Sequence, residues 1–307
     1  MRLSGTRGCV FLAAMACTLP VLLAQESGGV KSFPSYQDAA DTLVAAAAGN
    51  DVTEMKLLLG PDAESLMSSG DARADEDARG TFVRNYVRSH GYTRQGADKV
   101  ILIVGPSAWP LPIPIVKDRG GWRFDTAEGE KELSYRRIGS NELDAIQVCR
   151  ALYKAQKEYA ATGHNGNPPG AYAQRIVSAP GTQNGLYWET REGEPESPAG
   201  TLVADAASEG DAAEHRKLVP FHGYLYRVLL AQGPTAPGGA KEFVKDGKMT
   251  RGFAILAYPA EYRSSGVMVF VVDSRGVVRQ RDLGEGTGNA VASMKTYDPD
   301  QSWTVVH

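Results

Sequence analysis

Cysteine is nearly absent from this chain. Among 307 residues there are three, Cys9, Cys17 and Cys149, and the first two fall inside an N-terminal segment that reads as a leader. The chain beyond the leader therefore has a lone Cys149 and no internal disulfide framework. Beyond the leader there is also no apolar run of the roughly 18 residues a membrane helix needs, so no membrane span is expected in the mature part. Charge of one sign is missing too. The formal net charge is -3, and without residues 1–24 the balance is 31 basic against 36 acidic residues. That balance sets up no field for nucleic acid, and no nucleic-acid partner is expected.

Catalytic signatures are equally scarce. The chain contains no H-E-x-x-H, no C-x-x-C, no G-x-S-x-G and no Walker A segment. Gly284-Glu-Gly286-Thr-Gly288-Asn289 imitates a dinucleotide loop, but Asn289 replaces the last glycine, and the segment follows a hairpin strand and does not open a βαβ unit. It reads as a loop. The histidines His90, His164, His215, His222 and His307 have no metal-pair spacing. The carboxylates of Asp71–Asp77 and Asp298-Pro-Asp300 lack the ligand alternation of a calcium loop and read as caps or solvated groups. No cofactor and no metal are expected.

What is present begins with export. Arg2 and Arg7 form a positive start, Val10–Ala24 an uncharged apolar stretch, and Ala24-Gln25 a suitable cleavage point. Cleavage after Ala24, lipidation at Cys17 or retention as an uncleaved anchor are the alternatives. The lipobox fit is poor, because Ala14 stands where a larger aliphatic residue belongs. The expected location is periplasmic or secreted.

The mature part is of α+β type. Tyr36–Ala47 and Val52–Leu59 have helical spacing, and a third helix is predicted from Asp75 to Ser89. Val100–Val104 and Trp122–Phe124 read as strands. Between them, two prolines confine Leu111–Val116 to an edge or an irregular extended segment. Helices followed by a curved antiparallel sheet resemble the cone of the NTF2-like superfamily. A hinge is expected at Arg136–Asn141, dividing a domain at 30–137 from one at 138–307. Asn141 is the expected N-cap of a helix over Glu142–Ala161, with Cys149 on its buried side. Then come short strands, among them Gly185–Trp188 and Phe221–Leu229. Asp246-Gly247 signals a hairpin joining Phe243-Val244 to Phe253–Ala257, and Ser274–Gly276 a second joining Val267–Val272 to Val277–Leu283.

Several short segments resemble an uncharacterised bacterial exported family, domain of unknown function 2950. They include Ser69-Gly70-Asp71, Trp109-Pro110, Arg136-Arg-Ile-Gly139, Asn141-Glu142, Gly185-Leu-Tyr-Trp188, His222-Gly-Tyr224, Gly252-Phe253-Ala254 and Asp282-Leu283-Gly284. The likeness covers nearly the whole mature chain and implies no established activity. The second half, a helix followed by antiparallel strands closing on Phe270–Gly276, also resembles the globular heads of pilins and pseudopilins. The residues ahead of that helix are polar, so the apolar assembly stem of a pilin is missing. The expected fold is thus N-terminal helices plus a curved antiparallel sheet, then a pilin-head-like long helix packed on an antiparallel sheet.

The candidate binding residues are His222, Tyr224 and Tyr226, which with Val228 fall on one face of a strand, together with Tyr187, Trp188 and Arg251. The competing reading is that this aromatic face packs in the interior. Trp109, Trp122, Tyr187 and Trp188 likewise suit packing better than a sugar platform. Function is expected to be non-enzymatic binding or scaffolding of a cell-envelope protein or ligand. The alternatives are a periplasmic hydrolase with a site near His222 and a carrier of small apolar ligands in the N-terminal cone.

Overall fold

The computed structural model describes residues 30–60, 63, 66, 71–191, 193–200 and 220–307. The expected leader with Cys17, Ala24 and Gln25 lies outside the described residues, as does His215. The chain divides into two units, Met1–Thr126 and Ala127–His307.

In the first unit, local signals start each helix. Ser35 opens α1 (Tyr36–Ala48), its hydroxyl accepting the Asp38 N–H. Asp51 caps α2 (Val52–Leu59) through the Glu54 N–H. Asp71 caps α3 (Ala72–Arg88) by accepting the N–H groups of Arg73 and Ala74. These side chains fill the vacancy left by the missing intrahelical acceptors of a first turn. The sheet has β1 (His90–Arg94), β2 (Lys99–Val104), β3 (Trp109–Pro110), β4 (Ile115–Asp118) and β5 (Gly121–Phe124), in the order β1-β2-β4-β5, with β3 beside β2. Pro112 and Pro114 sit in the irregular stretch ahead of β4, where no ladder hydrogen bond is needed.

The interior of this unit is filled by its own side chains. Leu58, Leu102, Ile115 and Phe124 are fully buried, packed with Leu43, Met55 and Val100. Among the described residues these groups occupy the interior where the apolar cone was expected. A concavity of about 220 Å³ does exist between α1 and α3, but Asn50 and Glu76 line it alongside Ala47 and Val83.

The second unit corrects the hinge. A single helix, α4, runs from Thr126 to Thr162, straight through Arg136–Asn141. Gly139 and Ser140 weaken a helix locally, by about 1 kcal/mol at the glycine, but the buried stripe beyond them outweighs this. Ala145, Val148, Cys149, Leu152, Ala155 and Tyr159 recur at helical spacing and are buried. Asn141 therefore caps nothing. Its amide is used in a tertiary contact described below.

The remaining strands are β6 (Arg175–Val177), β7 (Gly185–Tyr187), β8 (Tyr224–Leu229), β9 (Ala231–Gln232), β10 (Lys241–Glu242), β11 (Val244–Lys245), β12 (Lys248–Met249), β13 (Ala254–Pro259), β14 (Met268–Asp273), β15 (Val278–Asp282) and β16 (Thr304–Val305). The Asp246-Gly247 turn is present, with φ of 53° and 77°, but it joins β11 to β12 and not to β13. The main sheet has the order β16-β15-β14-β13-β8, with antiparallel neighbours.

Register sorts its two faces. Tyr226, Ala257, Phe270 and Gln280 lie opposite one another, as do Arg227, Leu256, Val271 and Arg279 in the next row. On the first row Tyr226 lies near Cys149 of α4, and Tyr226, Ala257 and Phe270 belong to one core with Cys149 and Leu152. The second row faces α5 (Thr287–Ser293), because Arg227 Nη2 donates to the carbonyl oxygens of Val291 (2.6 Å) and Met294 (3.0 Å). Both carbonyls lie in the last turn and C-cap of α5, where intrahelical donors run out. The segment Gly284–Gly288, expected as a loop, is instead a 3₁₀ turn over Gly284–Gly286 running into α5. Both faces of the sheet are thus covered, which is why β13 and β14 are apolar at consecutive positions.

Asp273 ends β14 and is 3% exposed. It accepts the N–H groups of Arg275 (2.9 Å) and Val277 (3.2 Å), the Arg275 side chain, Arg279 Nη1 (3.4 Å) and the Tyr297 hydroxyl (3.0 Å). Burial alone would raise its pKa, but Arg275 and the backbone donors outweigh burial and hold the carboxyl below the ordinary range. A depressed carboxylate stabilises the fold above its unfolded value, about 4, and loses that contribution as pH falls through its folded value. Asp273→Asn should therefore lower stability by about 3 kcal/mol at pH 7. The deficit should shrink in urea titrations taken well below pH 4. A deficit that stays constant across that pH range would contradict the assignment.

Candidate functional site

His222 lies in a turn and not on the strand face expected for it. Phe221 and Tyr224 exchange both backbone hydrogen bonds, at 2.8 and 3.0 Å, and close a two-residue hairpin. The two central residues, His222 and Gly223, have φ of 48° and 70°. Positive φ at both positions marks a type I′ turn, whose twist suits a tight hairpin. At Gly223 a Cβ would come within 2.6 Å of Asn141 Nδ2 and 2.9 Å of the Ser265 Cβ, so space as well as conformation calls for glycine. The imidazole packs on Phe221, ring centroids 4.2 Å apart, with Nδ1 3.7 Å from Asp144 Oδ2 of α4. Both side chains are partly exposed, at 31% and 43%.

One turn of α4 builds the surroundings. Asn141 Nδ2 donates to Ser265 O (2.8 Å), and Glu142 Oε1 accepts the N–H groups of Val267 (2.9 Å) and Met268 (3.0 Å). Glu142 thereby satisfies two backbone donors where β14 begins. Tyr224 is fully buried, and its hydroxyl donates to Met268 O at 2.8 Å. A Cβ on Gly266 would overlap that hydroxyl. Asn141-Glu142, Gly223 and Gly266 thus form one close-fitting joint between α4, the His222 turn and the start of β14.

The hydroxyl and thiol groups near this joint are engaged or shielded. Ser140 Oγ donates to Asp144 Oδ2 (3.5 Å) and so turns to the carboxylate. Ser265 Oγ donates to Glu261 O at 3.1 Å. Cys149 is fully buried, and burial pushes its thiol up to about 12, despite the opposing influence of Arg150. It is therefore a packing residue, as a lone apolar-site cysteine usually is. Tyr226 is 8% exposed, and among the described residues its hydroxyl has no hydrogen-bond partner. Burial, then the neighbouring Cys149, Tyr224 and Asp144, hold that phenol well above its ordinary pKa.

The other sequence-selected residues lie elsewhere in the unit. Trp188 packs against Tyr159 (6.4 Å) and His164 (5.0 Å). Tyr159 is 15 residues beyond Asp144 on the same helix, about 22 Å along its axis. Trp188 and the adjacent Tyr187 of β7 are accordingly remote from His222. Arg251 is exposed beside Phe253, whose ring meets Tyr153 of α4 at 6.2 Å. None of these six residues lines the 290 Å³ cleft of this unit. Of the other histidines, His90 has Nδ1 3.1 Å from Tyr86 O at the end of α3 and stacks on the Tyr86 ring. Asp144 was missed by sequence reading. Its signal was its position three residues after Asn141, which reads as favourable helix-start charge.

These contacts predict opposite effects for two substitutions. Glu142→Ala leaves two backbone donors without their carboxylate and should lower stability by about 2 kcal/mol. Tyr226→Phe removes a buried, unpaired hydroxyl and should be neutral or stabilising by up to about 1 kcal/mol. Urea unfolding measures both. A strongly destabilised Tyr226→Phe protein would show that the hydroxyl has a partner.

No curated relative and no solved structure matches the chain. No matching structure supports the expected likeness to pilin heads; the second unit has a helix lying on an antiparallel sheet. A match to a family described as "Protein of unknown function (DUF2950)" spans residues 30–306, and the chain belongs to that family.

Proposed function

We propose that this chain is an exported, non-enzymatic module of the bacterial cell envelope that binds a partner through the His222 turn. The observation carrying this reading is the engagement of the groups that could serve as nucleophiles. Ser140 faces Asp144, Ser265 faces Glu261, Tyr224 is tied to Met268 and Cys149 is buried as a thiol. Nucleophilic catalysis needs a hydroxyl or thiol delivered to its base, with that base oriented by a third group. Here the imidazole lies 3.7 Å from the Asp144 carboxylate, and the hydroxyls serve the fold. The joint presents to solvent a part-exposed imidazole beside a part-exposed carboxylate, on a turn fixed by Gly223 and Asn141. A rigid donor–acceptor pair of that kind suits recognition of a polar partner, since little ordering is left to be lost on binding. The leader supports the envelope as its compartment.

Residues His222 and Asp144 form an exposed pair whose loss should change stability by less than about 1 kcal/mol. His222→Ala and Asp144→Ala therefore separate binding from folding. The wild-type chain should co-sediment with bacterial envelope fragments. Each variant should do so about tenfold more weakly, with a melting temperature within a few degrees of wild type. Chromogenic esters, amides and glycosides should not be turned over. Equal sedimentation of wild type and variants would contradict the reading. Turnover that disappears in His222→Ala would favour a hydrolase, the reading suggested by the 3.7 Å His222–Asp144 approach.

A further inference from the structure

The sheet face turned away from α4 carries a concavity of about 290 Å³ between β15, α5 and the segment leading to β16. Its floor is Val271 and Tyr297, both almost fully buried. Leu283 and Met294 form apolar walls, and Arg281 and Trp303 stand at the same cleft. Gln280 pairs with Thr304, so continuing the register places Arg281 opposite Trp303. Directly opposed side chains of an antiparallel pair share a face and are close neighbours. An indole and a guanidinium thus line one cleft over an apolar base.

The walls of the cleft are fixed. Tyr297 is held from below, its hydroxyl donating to Asp273 (3.0 Å) and accepting from Arg279 (2.7 Å), while its backbone N–H donates to Ala231 O. Asp298 accepts from the N–H (2.8 Å) and hydroxyl (2.5 Å) of Thr235. Arg227 fixes Met294 through its carbonyl. The concavity is a formed feature of the fold.

Charge and shape select the ligand class. Arg281 Nη1 lies 3.7 Å from Asp300 Oδ2, and the two side chains are 37% and 56% exposed. The Ser302 hydroxyl and N–H, ahead of Arg281, hold the Asp300 carboxyl below its ordinary range, so the carboxylate is ionised at neutral pH. Against the Arg281 guanidinium stand two carboxylates, Asp300 paired to it and Asp298 in the cleft lining, so the site holds no net positive charge to attract a free anion. The pair nonetheless offers several N–H donors next to carboxylate acceptors. Vicinal hydroxyl groups, each able to donate and accept, match that array. The apolar floor and the indole ask for an apolar surface on the same ligand, and aromatic faces supply large contact area of this sort. A ring with hydroxyls around its edge and C–H groups on its faces meets both demands. A cleft of this volume, at the lower end of small-molecule sites, has room for a single such ring.

We infer that the cleft between β15, α5 and β16 binds one neutral pyranose residue, its C–H face on Trp303 and its hydroxyls on Arg281 of the lining and on the Asp300 carboxylate paired with Arg281. The inference does not depend on the His222 turn or on the export reading. The test is ligand-observed saturation-transfer NMR on the full chain, with glucose, galactose, N-acetylglucosamine and glucuronate as separate probes. At least one of the neutral sugars should receive saturation, concentrated on the protons of one ring face. The signal should be lost in Trp303→Ala and fall about tenfold in Arg281→Gln, while Trp188→Phe leaves it unchanged. Arg281→Gln keeps the test valid if Trp303→Ala does not fold. No transfer to any neutral sugar at tens of millimolar would overturn the inference. So would transfer indifferent to both cleft variants, or a preference for glucuronate over the neutral sugars, which would make the cleft an anion site.

Discussion

The sheet β8–β13–β14–β15–β16 must be covered on both of its faces, and the C-terminal unit is arranged around that requirement. Residues Val269 to Val272 are apolar at successive positions, so each face of β14 presents side chains that water would solvate poorly. Burying a residue such as Phe270 contributes about 2 kcal/mol, and there are enough of them to select what lies above and below. The helix α4 covers one face with Cys149, Leu152 and their neighbours. On the other, Arg227 reaches from β8 to hold α5 by its final carbonyls. Asp273 ties the β14–β15 turn to Arg275, Arg279 and Tyr297, so the polar groups at the sheet's end are satisfied as the apolar ones are buried.

This arrangement decides where function can reside. The face carrying Tyr224 and Tyr226 is spent on α4, and its aromatic residues are part of the core. The accessible regions are at the margins. The His222 turn lies at the start of β8, where Asn141, Glu142 and Asp144 of α4 meet it. The cleft by Arg281 and Trp303 lies on the α5 side, where a short helix and an irregular segment leave part of the sheet's surface open. Both margins rest on rigid elements. A binding group held by packed secondary structure surrenders little freedom when a ligand arrives.

Elements whose signals are local were readable from sequence. The helix starts at Ser35 and Asp51, the apolar run of β14 and the Asp246-Gly247 turn each carry their cause within a few residues, whereas α3 starts at Ala72, capped by Asp71, ahead of the expected Asp75. The misread elements answer to distant partners. Asn141 has the chemistry of an N-cap, yet the helix continues because the stripe from Ala145 to Tyr159 needs α4, and the amide finds Ser265 instead. Residues Gly284–Ser293 have weak helical propensity of their own, and Arg227 stabilises α5 from a remote strand. At the His222 turn the alternation pattern placed His222, Tyr224 and Tyr226 on one face. Positive φ at His222 and Gly223 ends that alternation before the strand begins. That Arg281 and Trp303 line one cleft depends on the pairing of β16 with β15, which no short-range pattern encodes.

The central claim is that α4 and the sheet form one cooperative body, so that the Tyr224–Tyr226 face is never offered to a ligand. Native-state hydrogen exchange tests it directly. Backbone amides of Cys149 and Leu152 in α4 and of Ile255 and Val271 in the sheet should exchange through a single opening, with the free energy and denaturant dependence of global unfolding. An α4 that opens at much lower free energy while β13 and β14 stay protected would contradict the account, and would make the aromatic face a candidate binding surface again.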